Sequence, residues 1–364
     1  MKKLVVLSFA FLTLAACSSD DNSKIDPVVP PSSGSIFGTV EHPIALGGPN
    51  QGNQVYIDLS GETAAPVARD SWDLGFYSGN KFGVVINGSL MMATKQLATT
   101  DLSIVQESDP SVAVGTFQAS NLDFVDNPNG KLVANGSERG AAFGTIATSE
   151  AAAKVFLINL GKTVPTVAPA PGSTNVAGDD RGWKKAKVWQ DGAGYKMKYA
   201  DLAATANFTE VTIAKDAAYN HVFFSFKTGT PVKVEPLKTN WDLNFTTFTN
   251  EVFDTSGISA GAYFYGDFAV INTKAGVTAV KIEGDAAAYE AFNLASVTSG
   301  NYTFSDDQRA IGANWRDVLT RVVFSNVFFV LKDAEGNMYK IKFISMLNTT
   351  GERGYPVFQY EILK

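Results

Sequence analysis

Apolar residues in this chain alternate with polar ones more often than they recur at helical spacing. In Trp72-Asp73-Leu74-Gly75-Phe76 the large apolar side chains fall at alternate positions, which puts them on one face of a strand and Asp73 on the other. The arrangement returns at Trp241-Asp242-Leu243-Asn244-Phe245. Each copy has the same lead, an Asn, an apolar strand and a turn, in NQVYIDLSGETAAPVARDSWDLGF (53–76) and NHVFFSFKTGTPVKVEPLKTNWDLNF (220–245). Continued without a gap, the register sets Gly88 opposite Gly257. A second match follows in the same order. DGAGYKMKY (191–199) aligns with EGNMYKIKF (335–343), setting Gly192, Tyr195, Lys196 and Lys198 opposite Gly336, Tyr339, Lys340 and Lys342. Two ordered matches predict a tandem duplication.

β-branched and aromatic runs bounded by turn signals predict strands near 36–40, 55–59, 82–86, 321–331, 339–344 and 357–363, with a hairpin over 188–199 turning at 191–194. The fold class expected is all-β, with two antiparallel domains in tandem. Residues 164–174, with Pro165, Pro169 and Pro171, predict a loop. Residues 126–130 (DNPNG) predict a turn, since they lack the spaced carboxylates of a calcium loop. The Ala-rich stretch 150–154 predicts a short helix. Residues 208–214 suit both the last strand of the first domain and the opening strand of the second. The boundary is therefore set near 210, giving abutting domains at 36–210 and 211–364.

A length of 364 residues fits about two domains at roughly 150 residues each. The 12% aromatic content, with 25 Phe, favours strands. A net charge of −6 spread along the chain argues against a nucleic-acid partner, which needs a clustered basic footprint. Residues 1–16 predict a signal peptide, with Lys2 and Lys3 ahead of an apolar stretch too short to span a bilayer. The stretch ends in Leu14-Ala15-Ala16-Cys17, which resembles a bacterial lipobox and implies cleavage before Cys17 and lipidation there. Several acyl chains anchor a protein to the outer membrane stably where one would not. Cys17 is the only cysteine, so the processed chain is expected to have no disulfide, Cys nucleophile or zinc–thiolate site. Residues 17–35 are polar and rich in Ser and Pro, and predict a flexible tether. Asp20 and Asp21 resemble the export signal that carries Bacteroidetes lipoproteins to the outer face of the cell.

Catalytic patterns are sparse. Only His42 and His221 are available to a Ser-His-Asp arrangement, and no zinc-protease motif or phosphate-cradling glycine loop is present. The adjacent pairs Asp179-Asp180 and Asp306-Asp307 read as loop charges. An enzyme is not expected.

Residues 211–234, 240–245 (NWDLNF) and 321–343 (RVVFSNVFFVLKDAEGNMYKIKF), with the closing strand, resemble the HmuY-like family of Bacteroidetes outer-membrane lipoproteins; the first half carries a weaker copy. The resemblance implies an antiparallel all-β fold and non-enzymatic haem capture at the cell exterior for a TonB-dependent receptor. It also implies an axial pair of His or Met. The windows that would supply the pair, 279–297 with 315–320 and 102–125 with 183–187, contain neither residue. The remaining haem-ligand candidates are Met91, Met92 and Tyr289, since thioether and phenolate both serve as haem ligands. Met91 and Met92 follow a Gly turn, and adjacent strand residues face opposite ways, so one of the two can enter a pocket. His42 and His221 read as structural, with His221 at an edge or surface because the first copy has Gln54 there. The alternative reading keeps the fold and changes the cargo to a glycan, peptide or partner protein, with Trp183, Trp189 and Trp315 as stacking candidates.

Overall fold

The computed structural model describes residues 31–115 and 119–364. The signal segment 1–16, Cys17 and the tether as far as residue 30 lie outside the described residues. The predicted tether ends inside a strand, because β1 (Gly34–Phe37) is already paired.

The first copy continues through β2 (Asn53–Asp58), β3 (Thr63–Ala68), β4 (Leu74–Tyr77), β5 (Val84–Ile86), β6 (Ala93–Gln96), β7 (Phe156–Asn159), β8 (Trp183–Asp191), β9 (Gly194–Asp201) and β10 (Thr209–Ile213). The second holds β11 (His221–Ser225), β12 (Thr230–Val232), β13 (Leu243–Phe253), β14 (Ser259–Ile271), β15 (Thr278–Glu283), β16 (Arg316–Asp317), β17 (Val322–Val323), β18 (Val327–Lys332), β19 (Met338–Leu347) and β20 (Arg353–Ile362). Two short helices, α1 (Ala286–Ala291) and α2 (Leu294–Ser299), follow β15. Among the described residues no helix is long and apolar enough to cross a membrane, which says nothing of β-barrels.

The fold is all-β and antiparallel, as the alternation implies. Two five-stranded sheets run β10-β9-β8-β7-β6 and β1-β20-β19-β18-β15. Thr209–Ile213 pairs along β9, so the segment that suits either copy closes the first. The helix expected at 150–154 is a single turn. Ala153 N reaches Ser149 O and Glu150 O, but Val155 N bonds Thr99 O and draws the apolar run that follows into β7. The expected strand 321–331 is split into β17 and β18.

Two four-stranded sheets carry an exchange between the copies. Their orders are β14-β13-β2-β3 and β12-β11-β4-β5. The leading hairpin of each copy therefore pairs with the Trp-Asp strand of the other. The registers correspond: Ile57, Tyr56 and Val55 face Leu243, Asn244 and Phe245, while Phe224, Phe223 and Val222 face Leu74, Gly75 and Phe76. The two motif aspartates fasten the exchange. Asp73 N donates to Phe224 O at 2.8 Å and its Oδ2 accepts from Phe226 N at 2.6 Å. Asp242 N donates to Ile57 O at 2.7 Å and its Oδ2 accepts from Leu59 N at 2.9 Å. Each carboxyl thus satisfies a buried N–H just past the first strand of the hairpin it receives, a group that would cost about 1–3 kcal/mol if left bare.

The hydrophobic cores follow the exchange. One joins Phe37, Val55 and Ile57 to Leu243, Phe245 and Phe358; the other joins Leu74, Phe76 and Ile213 to Phe224 and Phe226. The two sequence copies therefore do not each enclose a core of their own: each core draws strands from both. Full burial of one such side chain contributes about 1.5–3 kcal/mol.

The ungapped register through Gly88 and Gly257 does not hold. Asn87 Nδ2 bonds Trp72 O and Arg69 O, and Asn272 Nδ2 makes the same pair of bonds to Trp241 O and Lys238 O. These Trp–Asn separations are 15 and 31 residues, so the β13–β14 hairpin is longer by 31 − 15 = 16 residues. Gly257 lies in the turn of that longer hairpin, with φ of 77°.

Candidate ligand cleft

The exchange gathers the starts of β2 and β11 and the two motif tryptophans around one cleft, with a cavity volume of about 180 Å³. Tyr56, Trp72, Phe223 and Trp241 form a buried cluster at its wall, backed by Val234. Tyr56 meets Trp241 edge-on with centroids 5.0 Å apart, and Phe223 meets Trp72 in the same way at 4.7 Å. Strand register makes these pairs equivalent, and it also matches Gln54 with His221 and Gly75 with Asn244.

Where the copies differ, polar atoms lose their partners. Gln54 Nε2 donates to Tyr56 OH at 3.2 Å. Phe223 stands at the position equivalent to Tyr56 and has no hydroxyl, and His221 Nε2 is without a hydrogen bond. A Cβ on Gly75 would lie 3.3 Å from the Phe223 ring and 2.8 Å from Val85. The second copy has Asn244 at this position, and its Oδ1 is unpaired, as are Nε1 of Trp72 and Nε1 of Trp241. All four atoms are shielded from solvent and all four residues line the cleft. Each of the four has less than 1 Å² of accessible surface, so they are packed into the cleft wall and not open to the cavity.

Burial shifts Asp126, Glu235, His221 and Lys274 at the cleft towards their neutral forms. Glu235 Oε1 accepts from His221 N at 2.7 Å, and burial pushes its carboxyl up to about 7. Asp126 accepts from Ile86 N and Ala142 N, and burial likewise raises it to about 7. Lys274 donates to Gly130 O, and desolvation lowers its ammonium to about 8. Burial, with Lys274 nearby, lowers His221 to about 3, which keeps the imidazole neutral. Among the described residues no three His, Cys, Asp or Glu side chains come together in a way that could hold a metal ion.

The HmuY protein family matches the sequence twice, over residues 50–211 and 217–360. The chain belongs to the HmuY family. Its two matches are the two copies, in tandem. A search of curated proteins finds no match. Among solved structures, the crystal structure of Apo PinO from Porphyromonas gingivitis is similar at 17% identity, over 43% of this chain and 86% of that one, with a TM-score of 0.15, too low to bear on the fold.

Within the HmuY copies the three haem-ligand candidates are dispersed. Met92 is fully buried among Leu90, Phe156 and Ile158 and reaches the cleft wall. Met91, at φ 60°, packs on Val114, Leu122 and Val125 and lines a different cavity beside Trp183. Tyr289 sits on α1 in a separate cluster, with its ring edge-on to Phe328 at 5.5 Å and the Lys340 ammonium 4.6 Å from its centroid. Trp189 and Trp315 are buried, and Trp315 stacks on Phe343 at 4.3 Å. Cys17 lies outside the described residues. His221, read from sequence as an edge or surface residue, is half-buried and lines the cleft. The signal for it was available in the aligned copies: Gln54 becomes His221 at the same time as Tyr56 becomes Phe223.

Proposed function

We propose that this HmuY-family chain is a non-catalytic capture protein that holds its ligand in the cleft between its two copies. The observation that carries the reading is the cleft that the exchanged hairpins build, walled by the equivalent ring pairs Tyr56–Trp241 and Phe223–Trp72. Anchoring through lipid on Cys17 at the outer membrane, facing outward, and delivery to a TonB-dependent receptor belong to the same proposal; the lipobox-like leader supports the anchor.

Haem is the ligand that family membership suggests, and the described residues do not fit it. Met91, Met92 and Tyr289 do not converge on one cavity. The reading favoured is therefore the family fold with a different cargo.

The test is equilibrium dialysis of the purified protein against hemin and, separately, against a protein-free cell extract read by mass spectrometry. Hemin is expected to give no saturable Soret shift. At least one small compound is expected to be retained by the wild type and lost by His221→Ala/Asn244→Ala. A saturable Soret shift abolished by Met91→Ala/Met92→Ala would restore haem as the cargo. Retention that ignores the His221 and Asn244 substitutions would remove the cleft as the site.

A further inference from the structure

All five tryptophans are among the described residues, and Trp183 alone is not buried. It stands on the wall of a second cavity, beside Met91. We propose that this cavity is a binding site for a neutral saccharide, with the Trp183 indole as its stacking platform. Among the described residues none lines both this cavity and the cleft between the copies, so the site is independent of the capture reading.

The site is built from the first copy, and its walls are held in place. Its floor is Asn159 on β7 and Trp183 on β8, which are directly opposed in the strand pair. One wall is the loop that carries Ser108, Pro110 and Val114. Asn159 Nδ2 donates to Val112 O at 2.9 Å and Lys95 pairs with Asp109 at 2.8 Å, which fixes this loop over the sheet. The other wall joins the turn after β7 to the one before β8. There Leu160 N donates to Gly182 O at 3.0 Å and Arg181 N to Gly161 O at 2.9 Å. Lys162 and Asp180 pair across the same turns at 2.7 Å. A ligand that meets walls already ordered does not carry the cost of ordering them.

The chemistry of the lining separates a saccharide from its rivals. Lys162 and Asp180 are the charged residues of the lining, and they balance each other, so no net charge is offered to an ionic ligand. The Asp180 side chain is 80% exposed and that of Lys162 36%, so both are open to a ligand. An exposed pair of this kind contributes little to stability, which leaves either partner free to turn to a ligand. Together they present an acceptor and a donor side by side. Two neighbouring sugar hydroxyls, each donor and acceptor at once, match that arrangement. Ser108, exposed at the rim, adds a hydroxyl of its own. A pyranose also has a face of C–H bonds, and the half-buried Trp183 and Met91 give that face apolar contact. A wholly apolar ligand would use one part of this lining and strip water from the rest without replacing it.

The experiment follows iodide quenching of tryptophan fluorescence in the intact protein, which reports on Trp183 because the other four are buried. Maltotriose, cellotriose, xylotriose and mannotriose are the probes, with adenosine and decanoate as comparators. At least one trisaccharide is expected to shield Trp183 saturably. Asp180→Ala is expected to weaken that trisaccharide by about tenfold, the fold-change of a lost hydrogen bond to a charged group. Calorimetry replaces fluorescence for Trp183→Ala, which is expected to weaken binding at least as much. Circular dichroism of both variants confirms that the fold is kept, and Asp180→Ala, at an exposed side chain, carries the test if Trp183→Ala does not fold. No shielding by any trisaccharide, shielding by adenosine or decanoate alone, or binding unchanged by the substitutions would each overturn the proposal.

Discussion

Asp267→Ala is expected to destabilise the protein by about 3–5 kcal/mol, because it strands a buried cation. Asp267 Oδ2 accepts from Arg353 Nε at 2.9 Å and Nη2 at 2.6 Å, and its Oδ1 accepts from Gln51 Nε2 at 2.7 Å. Gln51 returns the contact by accepting from Asp267 N at 2.9 Å. The side chains of Asp267 and Arg353 are only 1% and 10% exposed, so water cannot replace what is lost. Gln51 lies ahead of β2 in the first copy, while Asp267 and Arg353 belong to the second, so the network also ties the exchanged hairpin in place. Urea unfolding should show the loss as a lower midpoint with little change in slope. Lys131→Ala serves as the control. It breaks a solvent-exposed pair with Asp306, and such pairs contribute about 0–1 kcal/mol. Equal effects from the two substitutions would contradict this account of the network.

The two motif aspartates are expected to differ although they make equivalent backbone bonds. Asp73 also pairs with Arg181 at 2.6 Å, so Asp73→Ala strips both a buried N–H and a half-buried guanidinium of their partner, at about 3–5 kcal/mol. Asp242 has no ion-pair partner among the described residues, so Asp242→Ala exposes one N–H, at about 1–3 kcal/mol. Burial first, and then Asp58, Asp333 and Glu335, push the Asp242 carboxyl up to about 8. Tyr339 and Tyr360 also feel its charge. A folded-state carboxyl raised above its unfolded value of about 4 contributes stability that is complete below that value and is lost as pH climbs through about 8. Asp126 and Glu235 act in the same sense, and Lys274 in the opposite one. Comparing the wild type with Asp242→Asn isolates Asp242. The variant's thermal midpoint should fall less between pH 6 and pH 9, and identical falls would contradict the assignment.

Local pattern made much of this architecture legible. The period-two alternation in the Trp-Asp strands and the matched hairpins at 191–199 and 335–343 implied an all-β duplication, because a strand's facing is written in adjacent residues. The exchange was not legible. Val55 and Val222 have similar neighbours in sequence, and nothing local tells β2 to pair with β13 instead of β4. The 16-residue difference between the Trp–Asn separations hid the true equivalence of Asn87 and Asn272 behind an accidental Gly88–Gly257 alignment. Site residues fared in the same way. Met92 reaches the cleft, but His221 was read as an edge residue because what covers it comes from the other copy's β4 and from Glu235, just after β12 in the chain. The expected helix at 150–154 failed because helix propensity over one turn is weaker than the pull of a sheet on the apolar run that follows.

The cleft, its unpaired atoms and the roles of both aspartates all depend on the exchanged hairpins, and disulfide trapping tests that exchange directly. In a Cys17→Ser background, Tyr77→Cys/His221→Cys places thiols on directly opposed residues of β4 and β11. Such pairs sit about 4.5–5.5 Å apart at Cα, within disulfide range. If each hairpin stayed with its own copy, Gln54 would face Tyr77 instead. Mass mapping of the oxidised monomer should find the 77–221 bond formed and no bond in Gln54→Cys/Tyr77→Cys; a 54–77 bond with no 77–221 bond would contradict the exchange.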